Sequence, residues 1–320
     1  MRNVLYHYCS LETFKSIIEN KTIRVSDCSK TNDFAETKWI TTLISDVVIR
    51  LIKDDADFCN IYRINDDIIE LIRKQIETTI NAVYYENTRY MLTLVACFSE
   101  DGDLLSQWRG YANDAQGISI GFYKPLLQTF DTGGYNYHFK KVIYKEKEQL
   151  SYIQNHLGDL IYAYKQIEEH DNVSKLFIEF IQDLCGRISI IRNDSPIFKN
   201  GAFVEEKEWR LFVNNHLTNY YSYNDRSSND GFGGDIEENY NIECEYNNGF
   251  VRHPTSYRTT ASKIIPYFDL SFASIKDKLI KEIIIGPKSE VTELDIQVLL
   301  STYGYNFNKV NIKKSRATYR

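Results

Sequence analysis

Two glutamates separated by one residue could carry glycosyl or acid–base chemistry in this 320-residue chain. The run Glu206 to Val213 alternates polar with apolar residues, which predicts a strand with Glu206, Glu208 and Arg210 on one face and Trp209 on the other. Carboxylates at i and i+2 lie roughly 7 Å apart, so we expect each to raise the pKa of the other. The arginine would keep at least one of them charged. A solvated strand edge is the alternative to a cleft lined by both carboxylates.

A histidine stands near the start of the chain, within a short β-rich run from Val4 to Tyr8. In a strand, Tyr6 and Tyr8 share one face and His7 points to the other. Ser10 then begins a helix. A histidine at a strand end just before a helix can present a ring nitrogen to a ligand hydroxyl. A hydrogen-bonded structural histidine is the alternative interpretation of His7.

A hydroxyl and two flat aromatic side chains follow an apolar run, 92–99, of the kind typical of an interior strand. They are Ser99, Trp108 and Tyr111. The two aromatic residues are three positions apart, so they would share one face of a short helix capped by Asp103. The functional interpretation is an aromatic shelf for a flat heterocycle. The alternative, which suits Trp108 best, is a pair of core anchors.

Hydrophobic periodicity predicts two helical insertions, about residues 32–90 and 147–191, and a further helix over 291–303. Strand patterns cover residues 4–8, 92–99, 117–122, 135–144, 206–213, 263–270, 282–285 and 309–312. Strands in separated groups with helices between them predict an α+β fold. A single elaborated domain over residues 1–320 accounts for the length.

The net charge of −6 is concentrated in one segment. The stretch from Asn224 to Glu245 has seven acidic residues and one basic residue, so its net charge equals that of the whole chain. It lies in a long acidic loop, about 214–248, that would act as an anion-repelling flap beside the predicted carboxylate strand. The last twelve residues, 309–320, carry five bases and no acid, so a basic edge remains free for an anionic partner.

The six cysteines and six histidines are scattered, without a C-x-x-C pair. Their spacing therefore predicts no metal site. The apolar run after Arg2 is interrupted at His7, and no window approaches the roughly 18 apolar residues of a membrane span. We expect a cytoplasmic protein with reduced thiols and no membrane partner.

The short motifs of the chain fall in a defined order: Leu5-Tyr6-His7-Tyr8, Ser10-Leu11-Glu12, Asn32-Asp33, Cys97-Phe98-Ser99, Trp108, Tyr111, Gly117, Glu206-Lys207-Glu208-Trp209-Arg210, Ile285-Gly286-Pro287-Lys288, Ser315 and Tyr319-Arg320. This order resembles the bacterial family called domain of unknown function 2971, over essentially the whole chain. The opening, aromatic-His followed by a helix, also resembles more remotely the first motif of ADP-ribosyltransferases of the His-Tyr-Glu kind.

The second resemblance implies a split, mixed β-sheet that binds NAD, as substrate and without a metal, in the crevice between its halves. Carried over by position, His7 would hold the adenosine-side ribose, and Tyr111 or Ser99 would stand at the second motif. Glu208 or Glu206 would be the catalytic carboxylate. The NAD-binding set is completed by Tyr8, Ser10, Trp108 and Arg210.

The first hypothesis is therefore an NAD-dependent ADP-ribosyltransferase, or an NAD glycohydrolase where water is the acceptor. The macromolecular acceptor would be a protein or a nucleic acid, and the resemblance implies a role in bacterial toxin activity or phage defence. A second hypothesis is a non-catalytic nucleotide-sensing or protein-interaction module. A third is an RNA phosphotransferase that relies on phosphate contacts from residues such as Arg109 and Arg320.

Overall fold

The computed structural model describes residues 3–30, 35–81, 91–132, 137–166, 172–216, 244–245 and 249–319. Within these residues twelve strands form one sheet. In chain order they are β1 (Val4–Cys9), β2 (Thr22–Asp27), β3 (Met91–Ser99), β4 (Ile118–Tyr123), β5 (Tyr137–Lys141), β6 (Glu208–His216), β7 (Cys244–Glu245), β8 (Val251–Arg252), β9 (Ser256–Thr259), β10 (Ile264–Ser271), β11 (Ile280–Ile285) and β12 (Asn311–Lys314).

Helices occupy both predicted insertions and the region before the last strand. The α-helices of the described ranges are α1 (Leu11–Asn20), α2 (Ala35–Asp54), α3 (Ala56–Tyr62), α4 (Asp66–Asn81), α5 (Leu105–Tyr111), α6 (Lys124–Gln128), α7 (Glu146–Leu157), α8 (Leu160–Ala163), α9 (Val173–Asn193), α10 (Lys276–Leu279) and α11 (Glu293–Thr302). None of these described helices combines the length and apolar character needed to cross a membrane.

The main path of the sheet runs β12-β11-β4-β1-β3-β2-β10-β8-β7. Two branches leave this path, since β6 pairs with both β3 and β5, and β9 pairs with β10. β11 and β12 are parallel, whereas the other strand pairs are antiparallel. The sheet is therefore mixed, and the predicted combination of helices with a mixed sheet is confirmed.

The sheet divides at β3. Along one edge β3 pairs with β6 over its whole length. Along the other edge it pairs with β2 only at Leu94 and Val95, and with β1 only at Ser99. β1 and β2 thus approach β3 at different levels, and α1 is the helix that joins them in the chain. A crevice opens between these two strands.

Alternate side chains of the strands face different hydrophobic clusters, as the two-residue period requires. Leu94 and Leu211 belong to a cluster that includes side chains of α1 and α11. Val95 and Phe212 belong to a second cluster, built with α2, α4 and α9. Trp209 packs against the first cluster, so the predicted division of β6 into two different faces is confirmed.

β6 begins two residues later than predicted. Residues Gly201–Glu206 form a 3₁₀ helix, and Lys207 takes a left-handed backbone conformation with a φ of 46°. Glu206 therefore ends a helical turn, and Glu208 is the first residue of the strand. The prediction that the strand starts at Glu206 is therefore wrong, because the left-handed conformation of Lys207 separates Glu206 from the extended chain.

Other departures concern helix caps and short elements. α5 has Leu104 as its cap residue without a side-chain capping bond, so the predicted cap by Asp103 is wrong. β2, β8, β9, α6 and α10 have no counterpart among the predicted elements. Asn32 and Asp33 lie outside the described residues. So does most of the predicted acidic loop, whose residues 214–216 end β6 and whose residues 244–245 form β7.

Candidate functional site

A cavity of about 640 Å³ lies where β1 and β2 separate beside β3. Its walls include His7 from β1, Tyr111 from α5, and Glu206, Glu208 and Arg210 around the start of β6. α1 contributes wall residues as well, although its buried side chains belong to the first hydrophobic cluster. That cluster lies on the face of the sheet opposite to Phe212 and the second cluster. The cavity therefore reaches between the strands. Its volume is within the range of small-molecule sites, roughly 300–1,000 Å³.

His7 lies in the gap between β1 and β2. Its Nδ1 is 2.9 Å from the backbone oxygen of Cys97. Because a carbonyl oxygen only accepts hydrogen bonds, Nδ1 carries the proton and Nε2 is the acceptor of the neutral ring. Burial lowers the pKa of His7 below its usual 6.5, and the bond to Cys97 only partly opposes this. The ring is thus neutral at pH 7 and suited to accept a ligand hydroxyl.

Lys199 joins the two candidate carboxylates. Its Nζ is 2.7 Å from Glu206 Oε2 and 3.2 Å from Glu208 Oε2, and its side chain is fully buried. The ring of Phe203 covers the ammonium group at 5.0 Å. One buried cation thus offsets the repulsion between two buried carboxylates. The sequence interpretation missed Lys199, because it lies before the 3₁₀ helix and outside any periodic pattern of β6.

Arg210 holds Glu208 through a two-bond contact. Its Nε and Nη2 lie 2.9 and 3.0 Å from the two Glu208 oxygens, while Nη1 donates to the Pro196 carbonyl at 2.8 Å. Burial raises the pKa of Glu208, but Arg210 and Lys199 outweigh it and hold that pKa below its usual 4.5. The net shift of the Glu208 pKa is therefore downward, whatever the neighbouring Glu206 contributes. Two buried cations outweigh one neighbouring anion.

The Cys97 thiol, on the adjacent strand, interacts with the Glu208 carboxylate. Burial and the Glu208 charge raise the pKa of Cys97 well above its usual range, so this thiol is neutral and a weak donor. A carboxylate offers about four acceptor positions. Lys199 and the two Arg210 groups occupy three of those of Glu208. A ligand hydroxyl that reaches Glu208 would compete only with the weakly donating thiol for the fourth position.

The hydroxyls of Ser99 and Tyr8 make bonds within the protein, although both residues line the cavity. Ser99 Oγ donates to the Glu206 carbonyl at 2.7 Å and accepts from the Asp101 amide at 3.1 Å. The Tyr8 hydroxyl donates to the Asp101 carbonyl at 2.8 Å and accepts from the Leu104 amide at 2.9 Å. Both hydroxyls therefore fix the turns around the site.

Two other predicted site residues, Ser10 and Trp108, do not line the cavity. Ser10 caps α1, since its Oγ accepts from the Thr13 amide at 3.2 Å. Trp108 is fully buried, with its ring edge-to-face against Tyr8 at 4.9 Å and its Nε1 donating to Asp103 at 2.9 Å. The structure thus gives both residues a place in the scaffold around the site.

Tyr111 lines the cavity and is 43% exposed. Trp108, three residues earlier, is fully buried, so the two aromatic rings do not form one exposed face. Gln107, which is nearly buried, also lines the cavity. It was missed because one glutamine in a helix of seven residues gives no periodic signal.

β2 and β10 supply a polar wall that the sequence interpretation missed. Arg24 of β2 donates to both carboxylate oxygens of Asp269 on β10, at 2.9 and 3.0 Å, and both residues line the cavity with Ser26. The run Thr22–Asp27 alternates apolar with polar residues. That alternation is a strand signal, and it could have placed Arg24 and Ser26 on one face.

The described residues hold no group of three or more His, Cys, Asp or Glu side chains placed to bind a metal ion. Two cations, Lys199 and Arg210, stand beside the carboxylates instead. The chemistry that the arrangement offers is that of an ionised carboxylate in a low-dielectric crevice whose wall also holds a neutral histidine acceptor.

A family model described as "Protein of unknown function (DUF2971)" matches residues 107–211. The matched segment begins in α5 and ends in β6, so it contains Lys199 and both glutamates but not His7. This match supports the resemblance to that family. A search of curated proteins and a search of solved structures found no match.

Proposed function

We propose that this chain cleaves NAD, as an ADP-ribosyltransferase with a macromolecular acceptor or as an NAD glycohydrolase with water as the acceptor. The observation that carries the proposal is the single cavity at the division of the sheet. It brings His7, Tyr111 and the two glutamates Glu206 and Glu208 together, although they come from three separate parts of the chain. The remote resemblance to ADP-ribosyltransferases required this convergence.

The chemistry follows from the ionised carboxylate. When the bond from ribose C1′ to the nicotinamide nitrogen breaks, the electron pair leaves with nicotinamide and positive charge develops on the sugar. An ionised Glu208 beside the ribose stabilises that charge. An acceptor oxygen or nitrogen then bonds to C1′ and releases its proton to solvent. The two cations that flank Glu208 keep it charged at neutral pH.

The other residues bind and orient the substrate in this proposal. The Nε2 acceptor of His7 takes a hydroxyl of the adenosine-side ribose, because the opposite ring nitrogen is committed to Cys97. Tyr111 provides an exposed ring at the cavity wall on which nicotinamide stacks. Glu206, held by Lys199, adds a second carboxylate for the ribose hydroxyls.

We place the macromolecular acceptor, a protein or a nucleic acid, at the basic C-terminal edge. The segment after β12 lies against the start of α5, since the Arg316 amide donates to Asp103 at 2.8 Å. The Tyr319 ring lies beneath Arg109 of α5, 5.9 Å from its guanidinium carbon. α5 also carries Tyr111 at the cavity wall. An anionic acceptor bound at this edge would therefore lie beside the proposed nicotinamide pocket.

Release of nicotinamide from NAD tests the proposal. Purified protein is incubated with NAD, and free nicotinamide is measured by chromatography for the wild type and for Glu206→Gln and Glu208→Gln. We expect one or both substitutions to reduce turnover by about 100-fold, as losses of transition-state electrostatic contacts do. Glu282→Gln is the matched control, because Glu282 is a hydrogen-bonded carboxylate of the same sheet that does not line the cavity.

The control should keep turnover within about twofold, in line with the small effect of changes away from a site. Thermal melts establish that each variant is folded. Full turnover in both folded glutamine variants would refute the carboxylate assignment. Radiolabel from NAD that appears on added protein, RNA or DNA would identify the class of acceptor, and release without labelling would identify a glycohydrolase.

A non-catalytic nucleotide sensor is the second function, favoured by one observation. Lys199 and Arg210 take three acceptor positions of Glu208 and hold both of its oxygens. A carboxylate locked in this way would shape a binding pocket without reaching the sugar. Calorimetry separates the two functions, since a sensor would bind NAD with a finite heat and leave it intact after prolonged incubation.

A further inference from the structure

A second cationic wall lies in the same crevice, away from the carboxylates. Arg24 on β2 is directly opposite Asp269 on β10, and its Nε and Nη2 donate to the two Asp269 oxygens at 2.9 and 3.0 Å. Its guanidinium carbon is 3.7 Å from the centre of the Tyr267 ring. The side chain is nevertheless 42% exposed. The guanidinium is thus held in one plane and is still accessible from the cavity.

The Nη1 group of Arg24 is the part that remains for a ligand. A guanidinium has five N–H donors in a fixed fork, and Asp269 takes those of Nε and one of Nη2. The contact between Tyr267 and the guanidinium restricts rotation of the side chain. A guanidinium oriented in advance loses less entropy when it binds a phosphate oxygen.

Arg258 adds positive charge to the same face of the sheet. On β9 it is directly opposite Ile265 of β10, and Ile265 shares a face with Tyr267 and Asp269 because these residues alternate along the strand. Arg258 and Arg24 both line the cavity. Asp269 offsets the charge of Arg24, so Arg258 leaves the side chains of β2, β9 and β10 in this wall with one net positive charge, and Glu12 of α1 is a further acid in the cavity.

Strand spacing places this wall within reach of one nucleotide. Arg24 is two strands from Glu208, because β2 pairs with β3 and β3 with β6. Two spacings between paired strands are about 10 Å, and this is the lower limit of the separation because Arg24 lies beyond the residues of β2 that pair with β3. A ligand that puts a ribose beside Glu208 therefore has its phosphates near Arg24.

We propose that Arg24, supported by Arg258, forms a phosphate-binding subsite of the crevice that takes the diphosphate of a nucleotide ligand. This rests on the proposed function in one respect, since the diphosphate is assigned to the same ligand whose ribose lies at Glu208. The subsite itself requires no bond cleavage, and its ligand class is the nucleoside diphosphate.

Calorimetric titration with ADP, and with adenosine as the phosphate-free probe, tests the subsite. Arg24→Gln should weaken ADP binding by about tenfold or more, the loss of a charge-assisted hydrogen bond, and leave adenosine binding unchanged. Arg258→Gln should weaken ADP binding less and reduce its dependence on salt, because a less constrained cation acts through screened charge. Thermal melts confirm that each variant is folded.

Arg252→Gln is the matched control. Arg252 also lies over an aromatic ring of β10, with its guanidinium carbon 4.3 Å from the centre of Phe268, but it does not line the cavity. Its substitution should leave ADP affinity within about twofold, as expected away from a binding site. The double variant Arg24→Gln/Asp269→Asn removes the carboxylate that the single variant leaves without its partner. It should show the same loss of ADP affinity as Arg24→Gln.

The outcomes separate this subsite from the proposed function. Wild-type ADP affinity in Arg24→Gln, or recovery of it in the double variant, would overturn the subsite, whether or not NAD is cleaved. ADP affinity no higher than adenosine affinity in the wild type would overturn it too. Arg24-dependent ADP binding in a protein that leaves NAD intact would retain the subsite and reject the cleavage reaction.

Discussion

His7 Nδ1 lies 2.9 Å from the backbone oxygen of Cys97, across the gap in which β1 and β2 separate beside β3. Neither β1 nor β2 pairs with β3 at Cys97. The imidazole of His7 therefore donates to the Cys97 carbonyl in place of a backbone amide from a neighbouring strand. This single bond selects the tautomer of the ring and leaves Nε2 as the acceptor. The histidine is therefore at once part of the sheet edge and a group available to a ligand.

The protonation of His7 is the first prediction. Long-range ¹⁵N–¹H NMR should show the neutral ring protonated at Nδ1, with a titration midpoint below 6.5 because burial lowers its pKa. His7→Gln identifies the signals by removing them. A ring protonated at Nε2 would contradict the bond to Cys97, and a midpoint above 6.5 would contradict the dominance of burial.

The buried ammonium of Lys199 is the basis of the second prediction. Lys199→Met leaves Glu206 and Glu208 buried beside each other without their shared cation. Removal of one partner from a buried ion pair costs about 3–5 kcal/mol, so we expect a loss of that size in the free energy of unfolding measured with urea. Lys313→Met removes a half-exposed cation from Glu282 and should cost within about 1 kcal/mol.

Equal losses in the two variants would show that burial does not set the strength of the Lys199 contacts. A loss in Lys199→Met that disappears at a pH where both glutamates are protonated would support the charge explanation, because neutral carboxyls no longer repel each other.

The pH dependence of stability gives the third prediction. The pKa of Glu208 in the folded protein is below 4.5, so the folded state binds this proton less readily than the unfolded state does. Ionised Glu208 therefore stabilises the fold fully above pH 4.5, and this contribution is lost as the pH falls through the lowered folded value. Glu208→Gln should flatten the decline in melting temperature below about pH 4.5.

Glu19→Gln is the control for this titration. Glu19 pairs with Lys15 on the surface of α1, where both side chains are largely exposed to solvent. Because solvent screens such a pair, its substitution should leave the acid branch of the stability curve unchanged. An acid branch in Glu208→Gln that is identical to that of the wild type would contradict the depressed pKa.

Local alternation was enough to predict β1, β3 and β6 and the two different faces of β6, because each pattern is contained in a few adjacent residues. It also placed His7 and Glu208 among the site residues. Glu206 shows where alternation ends, since the left-handed conformation of Lys207 interrupts the extended chain. No periodic pattern encodes a single backbone reversal.

The partners of the site residues could not be predicted in the same way. Lys199 reaches Glu208 only because the 3₁₀ helix folds back, and Arg24 meets Asp269 across 245 residues of sequence. Trp108 and Tyr111 illustrate a related difficulty, because three-residue spacing leaves open which ring the neighbouring strand covers. Those choices depend on tertiary packing, which one sequence does not display.

Two of the tyrosines that line the cavity, Tyr8 and Tyr111, give the last prediction, in which stability and affinity change separately. The Tyr8 hydroxyl bonds the Asp101 carbonyl and the Leu104 amide, so Tyr8→Phe leaves two backbone groups without this partner. We expect it to cost about 1–3 kcal/mol in urea unfolding, the effect of unsatisfied buried groups. Its NAD affinity should be that of the wild type.

Tyr111→Ala should behave in the opposite way. The side chain is 43% exposed at the cavity wall, so its loss should change the free energy of unfolding by within about 0.5 kcal/mol. Loss of a stacking surface for a heterocycle costs about 1–3 kcal/mol, which corresponds to at least about a fivefold weaker Kd for NAD in calorimetry. Tyr111→Phe retains the ring and should restore most of that affinity. If Tyr111→Ala binds NAD as tightly as the wild type does, or Tyr111→Phe restores none of the lost affinity, the stacking role of Tyr111 proposed above is wrong.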